Sequence, residues 1–338
     1  MKLLKKLTSI TAPSGGEKAL ASFVIEEIKN HCESYALDPL GNLIVFKKGE
    51  MTPSKKLMIA AHLDEVGFII TEILDSGLLK FSTIGGILGS VLCGHKVLFS
   101  GGNVGIIVPS KATHLLDKEK RLEMPDSDDL FIDIGAENKE DAEKLVSLGD
   151  KAAFFPDWFE NEESVFSKAL DDRIGVRTLI KIIKGKIPYD TTFVFTVQEE
   201  VGLRGAATAA FSVSPDIAVV LDATTASDLP EKSGSERVCV QGEGPVVSFM
   251  DKSTVYDSDL WHKILDIAKE NTIPVQLKTK VAGGNDAGSI HKAVGGIRTA
   301  AISAPTRYIH SGLSLVRKSD IEAIYSLVLA IIGETDSL

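Results

Sequence analysis

Five short clusters rich in histidine and carboxylate residues lie at the ends of apolar segments or at the start of a helical one. The clusters are AHLDE at residues 61–65, ALDDR at 169–173, QEEVG at 198–202, Asp222, and RYIHS at 307–311. Taken singly, each has an ordinary structural explanation, such as a helix cap for an Asp pair or a solvated loop for adjacent glutamates. In open α/β sheets, however, ligands bind beyond the carboxyl ends of the parallel strands. We therefore expect the five clusters to meet at one edge of a sheet.

The residue types in these clusters suit divalent metal ions. Carboxylates crowded at one edge repel one another, and their pKa values rise unless a cation compensates. Two histidines and three or more carboxylates supply a mixed nitrogen and oxygen ligand shell that suits Zn²⁺, Co²⁺ or Mn²⁺. One Asp can bridge two such ions, which then lie about 3.5–4 Å apart.

The elements that would position the clusters alternate between strand and helix. The predicted strands are residues 56–61, 191–198, 217–221 and 299–304, and the predicted helices are residues 17–31, 172–183, 203–211, 258–270 and 319–332. A short amphipathic helix is also expected before Pro13. Strands separated by helices indicate an α/β fold with a mainly parallel, mixed sheet that is sandwiched by helices.

The middle of the chain follows a different pattern. From about residue 68 to residue 163, short β-like pieces are broken by glycines, as in GGILGS and GHKVLFSGG, and only residues 139–147 look helical. This pattern predicts a small β-barrel-like domain inserted into the α/β domain. We therefore assign residues 1–67 and 164–338 to the catalytic domain and residues 68–163 to an inserted β-rich domain.

Length and composition restrict the class of protein. A chain of 338 residues suits two domains, and its formal net charge of −10 argues against nucleic acid or an anionic membrane surface as a partner. No apolar stretch approaches the length of a membrane span. The scattered cysteines Cys32, Cys93 and Cys239 form no metal or redox motif, which favours a reducing compartment and a cytoplasmic location.

The clusters and their neighbours, in this order, resemble the tetrahedral (TET) aminopeptidases. This family of co-catalytic metallopeptidases is also called glutamyl aminopeptidase and, historically, endoglucanase or cellulase M. The shared motifs are AHLDEVG at residues 61–67, ALDDRIG at 169–175, QEEVGLRGA at 198–206, LDATTASDLP at 221–230, GGNDAGSIH at 283–291 and PTRYIHS at 305–311. The resemblance covers nearly the whole chain and implies a zinc-peptidase-like fold.

The resemblance implies a metal-binding role for five residues. His62 and Asp222 would bind one ion, Glu200 and His310 would bind the other, and Asp171 would bridge both. The two ions would be zinc or cobalt, with manganese as a third option. The peptide bond after Asp171 is expected to be cis, a conformation that non-proline residues adopt only where the site holds it.

The resemblance also implies the reaction. Glu199 would be the general base for a metal-bridging water that hydrolyses the N-terminal peptide bond of short peptides. Asp64 would hydrogen-bond the free ring nitrogen of His62 and orient it. The inserted domain would mediate dimerisation, and dimers would assemble into a tetrahedral particle of twelve subunits.

Other residues receive structural interpretations. His31, His95, His114 and His262 are expected to be structural or on the surface, and residues 125–129 to form a solvated acidic loop. Asp286 is expected to cap the helix that carries His291. Whether His291 contacts the metal ligands stays open. Leu63, Asn285 and Ser314 depart from the family pattern without removing a ligand or the base, so they bear on substrate preference or on local packing.

Three alternatives to an aminopeptidase stay open. A deacylase or carboxypeptidase could use the same two-metal site. An endoglucanase would need two carboxylates flanking a sugar bond and no pair of histidine ligands. A non-catalytic metal-binding protein would have no need of Glu199 as a base.

Overall fold

The structure, a computed structural model, describes residues 1–109, 126–231 and 236–338. His114 and Pro125, about which the sequence made predictions, lie outside the described residues. The helices within these ranges are α1 (Lys2–Ser9), α2 (Lys18–Ile28), α3 (Lys139–Glu143), α4 (Leu170–Lys184), α5 (Arg204–Val213), α6 (Ser258–Glu270), α7 (Ala287–Ile290) and α8 (Lys318–Gly333). The strands are β1 (Ser34–Leu37), β2 (Leu43–Lys47), β3 (Leu57–His62), β4 (Gly67–Ile73), β5 (Leu79–Ile84), β6 (Lys96–Phe99), β7 (Val104–Pro109), β8 (Leu130–Asp133), β9 (Lys151–Phe154), β10 (Trp158–Glu160), β11 (Ser164–Ser167), β12 (Thr191–Thr196), β13 (Ile217–Thr225), β14 (Val246–Val247), β15 (Gln276–Leu277), β16 (Arg298–Thr306) and β17 (Ser314–Arg317).

Within the described ranges, one sheet of eight strands has the order β1-β2-β12-β3-β13-β16-β14-β15. The four central strands β12, β3, β13 and β16 run parallel, and antiparallel pairs join β2 and β14 to this centre. All six residues of β3 are buried, as expected for a parallel strand that is covered on both faces. The prediction of a mainly parallel, mixed sheet is confirmed.

Helices cover both faces of this sheet. Leu57 and Ile59 of β3 belong to a core that includes side chains of α1, α2, α4, α6 and α8. Met58 and Ala60 point to the opposite face and pack with side chains of α5 and α7. Successive side chains of a strand point to opposite faces, so the buried run of β3 contributes to two cores at once.

Six of the described strands close into a barrel in the order β4-β5-β8-β7-β6-β9. The barrel has its own hydrophobic core, in which the ring of Phe68 meets those of Phe81 and Phe154 edge to face, with centroids 5.3 Å apart. Strand β4 begins directly after the AHLDE cluster, so the chain enters the barrel from the predicted site. The predicted β-barrel is confirmed, and the domain boundaries at 67/68 and 163/164 stay a prediction.

Most predicted elements agree with the structure to within a few residues. The prediction for residues 258–270 matches α6, whereas the helix predicted for residues 139–147 is shorter and ends at Glu143. A small sheet of β10, β11 and β17 lies outside both the main sheet and the barrel. Among the described residues, no helix is both long and apolar enough to cross a membrane.

Candidate metal centre

The central strands deliver their polar residues to one edge of the sheet. His62 is the last residue of β3, and it lies opposite Thr196 at the end of β12. Glu199 and Glu200 follow in the turn after β12, and Asp222 lies in the carboxyl-terminal half of β13. The parallel register therefore brings three of the five clusters to the same place.

One group of potential ligand atoms comes from His62, Asp171 and Asp222. All three residues are buried, and their ligand atoms lie within 4.8 Å of one another. His62 Nε2 is 3.1 Å from Asp171 Oδ1 and 3.7 Å from Asp222 Oδ1. Atoms so placed could all contact one ion in the middle of the group.

A second group contains Asp171, Glu200 and His310, again with ligand atoms within 4.8 Å of one another. His310 Nε2 is 3.5 Å from Asp171 Oδ2 and 3.3 Å from Glu200 Oε2. Asp171 thus directs one carboxylate oxygen to each group. This sharing is the arrangement that a bridging carboxylate between two ions requires.

The backbone around Asp171 is irregular. The Asp171–Asp172 peptide bond is cis, as the resemblance implies, and both residues have non-helical dihedral angles. The regular part of α4 therefore begins at Arg173. The Asp172 carboxylate accepts a hydrogen bond of 2.9 Å from the amide of Gly175 and caps this first turn.

Backbone carbonyls orient both histidine rings. His62 Nδ1 lies 3.1 Å from the carbonyl oxygen of Asp64 and 3.5 Å from Asp64 Oδ1. His310 Nδ1 lies 3.0 Å from the carbonyl oxygen of Gly86, in the connection between β5 and β6 of the barrel. When Nδ1 donates to these acceptors, Nε2 of each ring is left as the atom that faces the carboxylates.

The Asp64 carboxylate mainly serves the loop after β12. Its two oxygens accept hydrogen bonds from the amides of Glu199 at 3.0 Å and Glu200 at 3.1 Å. The sequence suggested that this carboxylate orients His62, but in the structure the carbonyl oxygen of Asp64 lies closer to the ring. Asp64 therefore contacts both His62 and the Glu199–Glu200 turn.

The crowding of carboxylates raises their affinity for protons. Burial, and then the charge of Asp171, raise the pKa of Glu200 to about 8 and that of Asp222 to about 7. Burial alone would lower the pKa of His310, but its contacts with Asp171 and Glu200 raise it to about 9. The raised pKa values mean that the excess of carboxylates favours bound positive charge, which divalent cations would supply in place of protons. The donor set of carboxylate oxygens and imidazole nitrogens fits Zn²⁺, Co²⁺ or Mn²⁺.

Glu199 lies beside the two ligand groups and belongs to neither. Burial, and then the charges of Asp222 and Asp286, raise the pKa of the Glu199 carboxyl well above its usual range despite the nearby His62. A carboxyl group tuned upward in this way suits proton transfer near neutral pH. Its location fits the role that the resemblance implies.

A cavity of about 500 Å³ opens over this cluster. Its lining includes the carboxylates together with Leu203, Val238 and Ile309, and also Lys252 and Lys278. The two lysines lie on loops far apart in the sequence, and no local pattern marked them as part of a site. The cavity has the size of a typical small-molecule site and combines apolar walls with charged groups.

One residue of the GGNDAGSIH motif behaves differently from the expectation. The prediction that Asp286 caps the following helix is wrong, because its carboxylate instead accepts a hydrogen bond of 2.5 Å from Thr196 Oγ1. The side chain of Asn285, one residue before the N-cap position, accepts a hydrogen bond of 2.9 Å from the amide of Ala287. His291 Nδ1 lies 2.7 Å from the carbonyl oxygen of Ala287, one turn back in its own helix.

A buried ion cluster supports the strand ends behind the site. Lys168 Nζ contacts both carboxylate oxygens of Glu65 at 2.6 and 2.7 Å, and Arg173 Nη2 lies 3.2 Å from the same carboxylate. Arg173 also donates to the carbonyl oxygens of Leu63 and Asp64. These contacts tie the segment that follows His62 to the segment that carries Asp171.

Comparisons with known proteins agree with this geometry. The family model for M42 glutamyl aminopeptidases matches residues 41–327. A candidate aminopeptidase of Acetivibrio thermocellus is 44% identical over 332 residues, which are 97% of this chain and 97% of that protein.

Solved structures give the same result. The TET aminopeptidase of the marine sediment archaeon Thaumarchaeota archaeon SCGC AB-539-E09 is 35% identical, with a TM-score of 0.94 over 99% of this chain and 96% of that one. The TET1 peptidase of Pyrococcus horikoshii, which can assemble into a tetrahedron or a large octahedral shell, is 34% identical, with a TM-score of 0.86 over 98% and 99% of the two chains. The resemblance inferred from the motifs is confirmed, and the chain belongs to the peptidase M42 family of metal-dependent glutamyl aminopeptidases.

Proposed function

We propose that this protein hydrolyses the N-terminal peptide bond of short peptides at a centre of two divalent metal ions. The observation that carries the proposal is the shared carboxylate of Asp171, which joins two ligand groups next to Glu199. The test measures metal-dependent release of the first residue from a peptide with a free N-terminus. The same peptide with an acetylated N-terminus is the comparison, and it should not be hydrolysed.

Five residues would hold the ions. His62 and Asp222 would contact one ion, Glu200 and His310 the other, and Asp171 both. Zinc or cobalt suits this donor set best, and manganese is the third candidate. When bound, the ions supply Lewis-acid chemistry, in which water becomes a stronger nucleophile and the scissile carbonyl is polarised.

The residues of the chain account for the movement of the proton. Glu199 accepts a proton from the attacking water and delivers it to the nitrogen of the departing peptide. Hydroxide is thereby added to the carbonyl carbon as the carbon–nitrogen bond breaks, and one water is consumed. The carboxylates that line the cavity favour the positive α-amino group of the substrate, which places its first peptide bond beside Glu199.

The geometry disfavours the alternative reactions. An endoglucanase needs two carboxylates on either side of a sugar bond, at separations of about 5–9.5 Å. Here the carboxylates converge on two histidines instead. A deacylase or carboxypeptidase would accept the acetylated peptide or release the last residue, and an aminopeptidase would release only a free first residue.

We further propose a preference for acidic N-terminal residues, based on the two lysines that line the cavity. Lys278 is buried and its Nζ donates to the carbonyl oxygen of Ala282 at 2.8 Å, whereas Lys252 is exposed. Among the described residues neither lysine forms a salt bridge, so an acidic side chain of the substrate could pair with them.

Replacing either lysine with Met should therefore change specificity. We expect the ratio of kcat/KM for a Glu peptide to that for an Ala peptide to fall about 10- to 100-fold, because a charge-assisted contact is lost. Lys280→Met is the control, because Lys280 is exposed and is not part of the cavity wall. A loss of folded protein lowers both kcat/KM values equally and therefore cancels in their ratio. An unchanged ratio in both cavity variants would contradict the proposed preference.

We also propose that the barrel mediates dimerisation, that dimers assemble into a twelve-subunit particle, and that the protein is cytoplasmic. The tetrahedral assembly of the related Pyrococcus horikoshii peptidase supports the proposed particle. The free thiols Cys32, Cys93 and Cys239 support a reducing compartment. A monomer mass by light scattering would contradict the assembly.

A further inference from the structure

Three successive backbone amides in the turn after β12 each donate a hydrogen bond to a carboxylate. The amide of Gln198 lies 3.2 Å from Glu17 Oε1. The amides of Glu199 and Glu200 lie 3.0 and 3.1 Å from the two carboxylate oxygens of Asp64. Two carboxylates therefore fix the backbone of the turn that carries the proposed base.

Both carboxylates depend on one segment, residues 12–17, which we call the N-terminal brace. Ser14 of the brace donates a hydrogen bond of 2.6 Å from its Oγ to Asp64 Oδ2, and both side chains are buried. Glu17 belongs to the brace and also accepts from the amide of Gly15 at 2.7 Å. The Glu17 carboxylate therefore binds both the backbone of the brace and the backbone of the turn.

The brace is itself attached to the segment that follows His62. The amide of Ala12 donates to Glu65 Oε1 at 3.0 Å, and the amide of Glu65 donates to the carbonyl oxygen of Ala12 at 3.1 Å. The brace therefore links the segment after β3, which contains Asp64, to the turn after β12.

The turn needs such support because its conformation is unfavourable for its sequence. Gln198 has a φ of +57°, in the left-handed region that residues other than glycine rarely occupy. The turn must also direct two adjacent side chains differently, since Glu200 joins His310 in a ligand group and Glu199 does not. A small rotation of the turn would move the Glu199 carboxyl away from the reacting water.

We propose that Ser14 and Glu17 are positioning residues for the general base. They contact neither the potential metal ligands nor the cavity, and they act by fixing the backbone of Glu199 through Asp64 and Gln198. The proposal rests on the proposed role of Glu199 in hydrolysis. It assigns the brace an effect on the rate of the chemical step.

The first test replaces Ser14 with Ala in the full-length, metal-saturated protein. We expect kcat to fall about 10- to 100-fold with KM changed less than about threefold, because a misplaced base slows chemistry more than binding. Bound metal should stay at the wild-type level. Ser9→Ala is the control, since the Ser9 hydroxyl donates within the exposed surface of α1. A wild-type kcat in Ser14→Ala would overturn the assignment of Ser14.

The second test combines Ser14→Ala with Glu199→Gln. If Ser14 acts through the base, the added substitution should lower the residual rate of Glu199→Gln less than about twofold, because coupled residues are non-additive. A further fall of the same size as in the wild-type background would show a general structural role and contradict the proposal. A wild-type protein that releases no first residue would instead refute the proposed function itself.

Glu17 provides an independent pair of variants if Ser14→Ala fails to fold. Glu17→Ala removes the acceptor for the Gln198 amide and should lower kcat about 10-fold or more. Glu17→Gln keeps an acceptor oxygen at the same place, so its kcat should fall much less. Equal losses in the two variants would mean that the acceptor oxygen does not position the base.

Discussion

Replacing Glu199 with Gln is expected to lower kcat by about 10²- to 10⁴-fold, the usual contribution of a general base. The amide has nearly the same size and keeps the side chain polar, but it cannot take up a proton from water. Glu199 lies outside both ligand groups, so the variant should still bind two ions per subunit. Steady-state hydrolysis of a Glu peptide, together with metal analysis of the same sample, measures both properties.

The matched control for this variant is Glu270→Gln, an identical chemical change at an exposed position at the end of α6. Its rate should equal that of the wild type. If Glu199→Gln turned over at the wild-type rate with both ions bound, another residue would have to be the base. Loss of an ion in Glu199→Gln would show that Glu199 is a ligand.

Replacing Asp171 with Asn is expected to abolish activity by removing both ions. Among the residues that the structure describes, only Asp171 contributes to both ligand groups, with Oδ1 near His62 Nε2 and Oδ2 near His310 Nε2. Asn offers one oxygen and no negative charge, so it can serve at most one ion. Loss of a residue that only hydrogen-bonds a metal ligand typically lowers metal affinity roughly 10- to 100-fold. Loss of Asp171, itself a proposed ligand, should lower the affinity by more.

Asp222→Asn provides the comparison, because Asp222 belongs to only one group. Titration of stripped protein with Co²⁺ should show two weakened sites in Asp171→Asn and one in Asp222→Asn. Two sites of wild-type affinity in Asp171→Asn would contradict a bridging role for this residue.

The sequence predicted the central sheet and the meeting of the clusters because both follow from strong local patterns. Buried strands such as β3 and β13 begin with continuous apolar runs, and parallel strands carry the polar residues that come after these runs to one edge. The edge strand β1 was missed because all four of its residues are exposed and its stability comes from pairing with β2.

Within the site, the sequence could predict side chains but not backbone acceptors. The carbonyl oxygen of Gly86 contacts His310, yet any residue type has a carbonyl, so no residue signal marked it. The mistaken cap at Asp286 has a related cause. A carboxylate before a helix usually caps it, but here Thr196, distant in sequence, donates to this carboxylate, and the amide of Ala287 donates to Asn285 instead.

The contact of Gly86 with His310 also connects the barrel to the chemistry. This contact comes from the connection between β5 and β6, so a barrel that lies outside the main sheet orients one proposed metal ligand. The barrel is therefore part of the site as well as the proposed interface. Folding of the barrel and completion of the second ligand group are expected to be linked.

The central claim is that metal ions held by the shared-carboxylate cluster make this protein an aminopeptidase. The most direct test measures release of the first residue from a short Glu peptide and from its acetylated counterpart, with metal-stripped protein to which Zn²⁺ or Co²⁺ is added stepwise. We predict no release without metal, release from the free peptide alone, and a maximal rate when two ions are bound per subunit. Full activity in stripped protein, or equal hydrolysis of the acetylated peptide, would contradict the account.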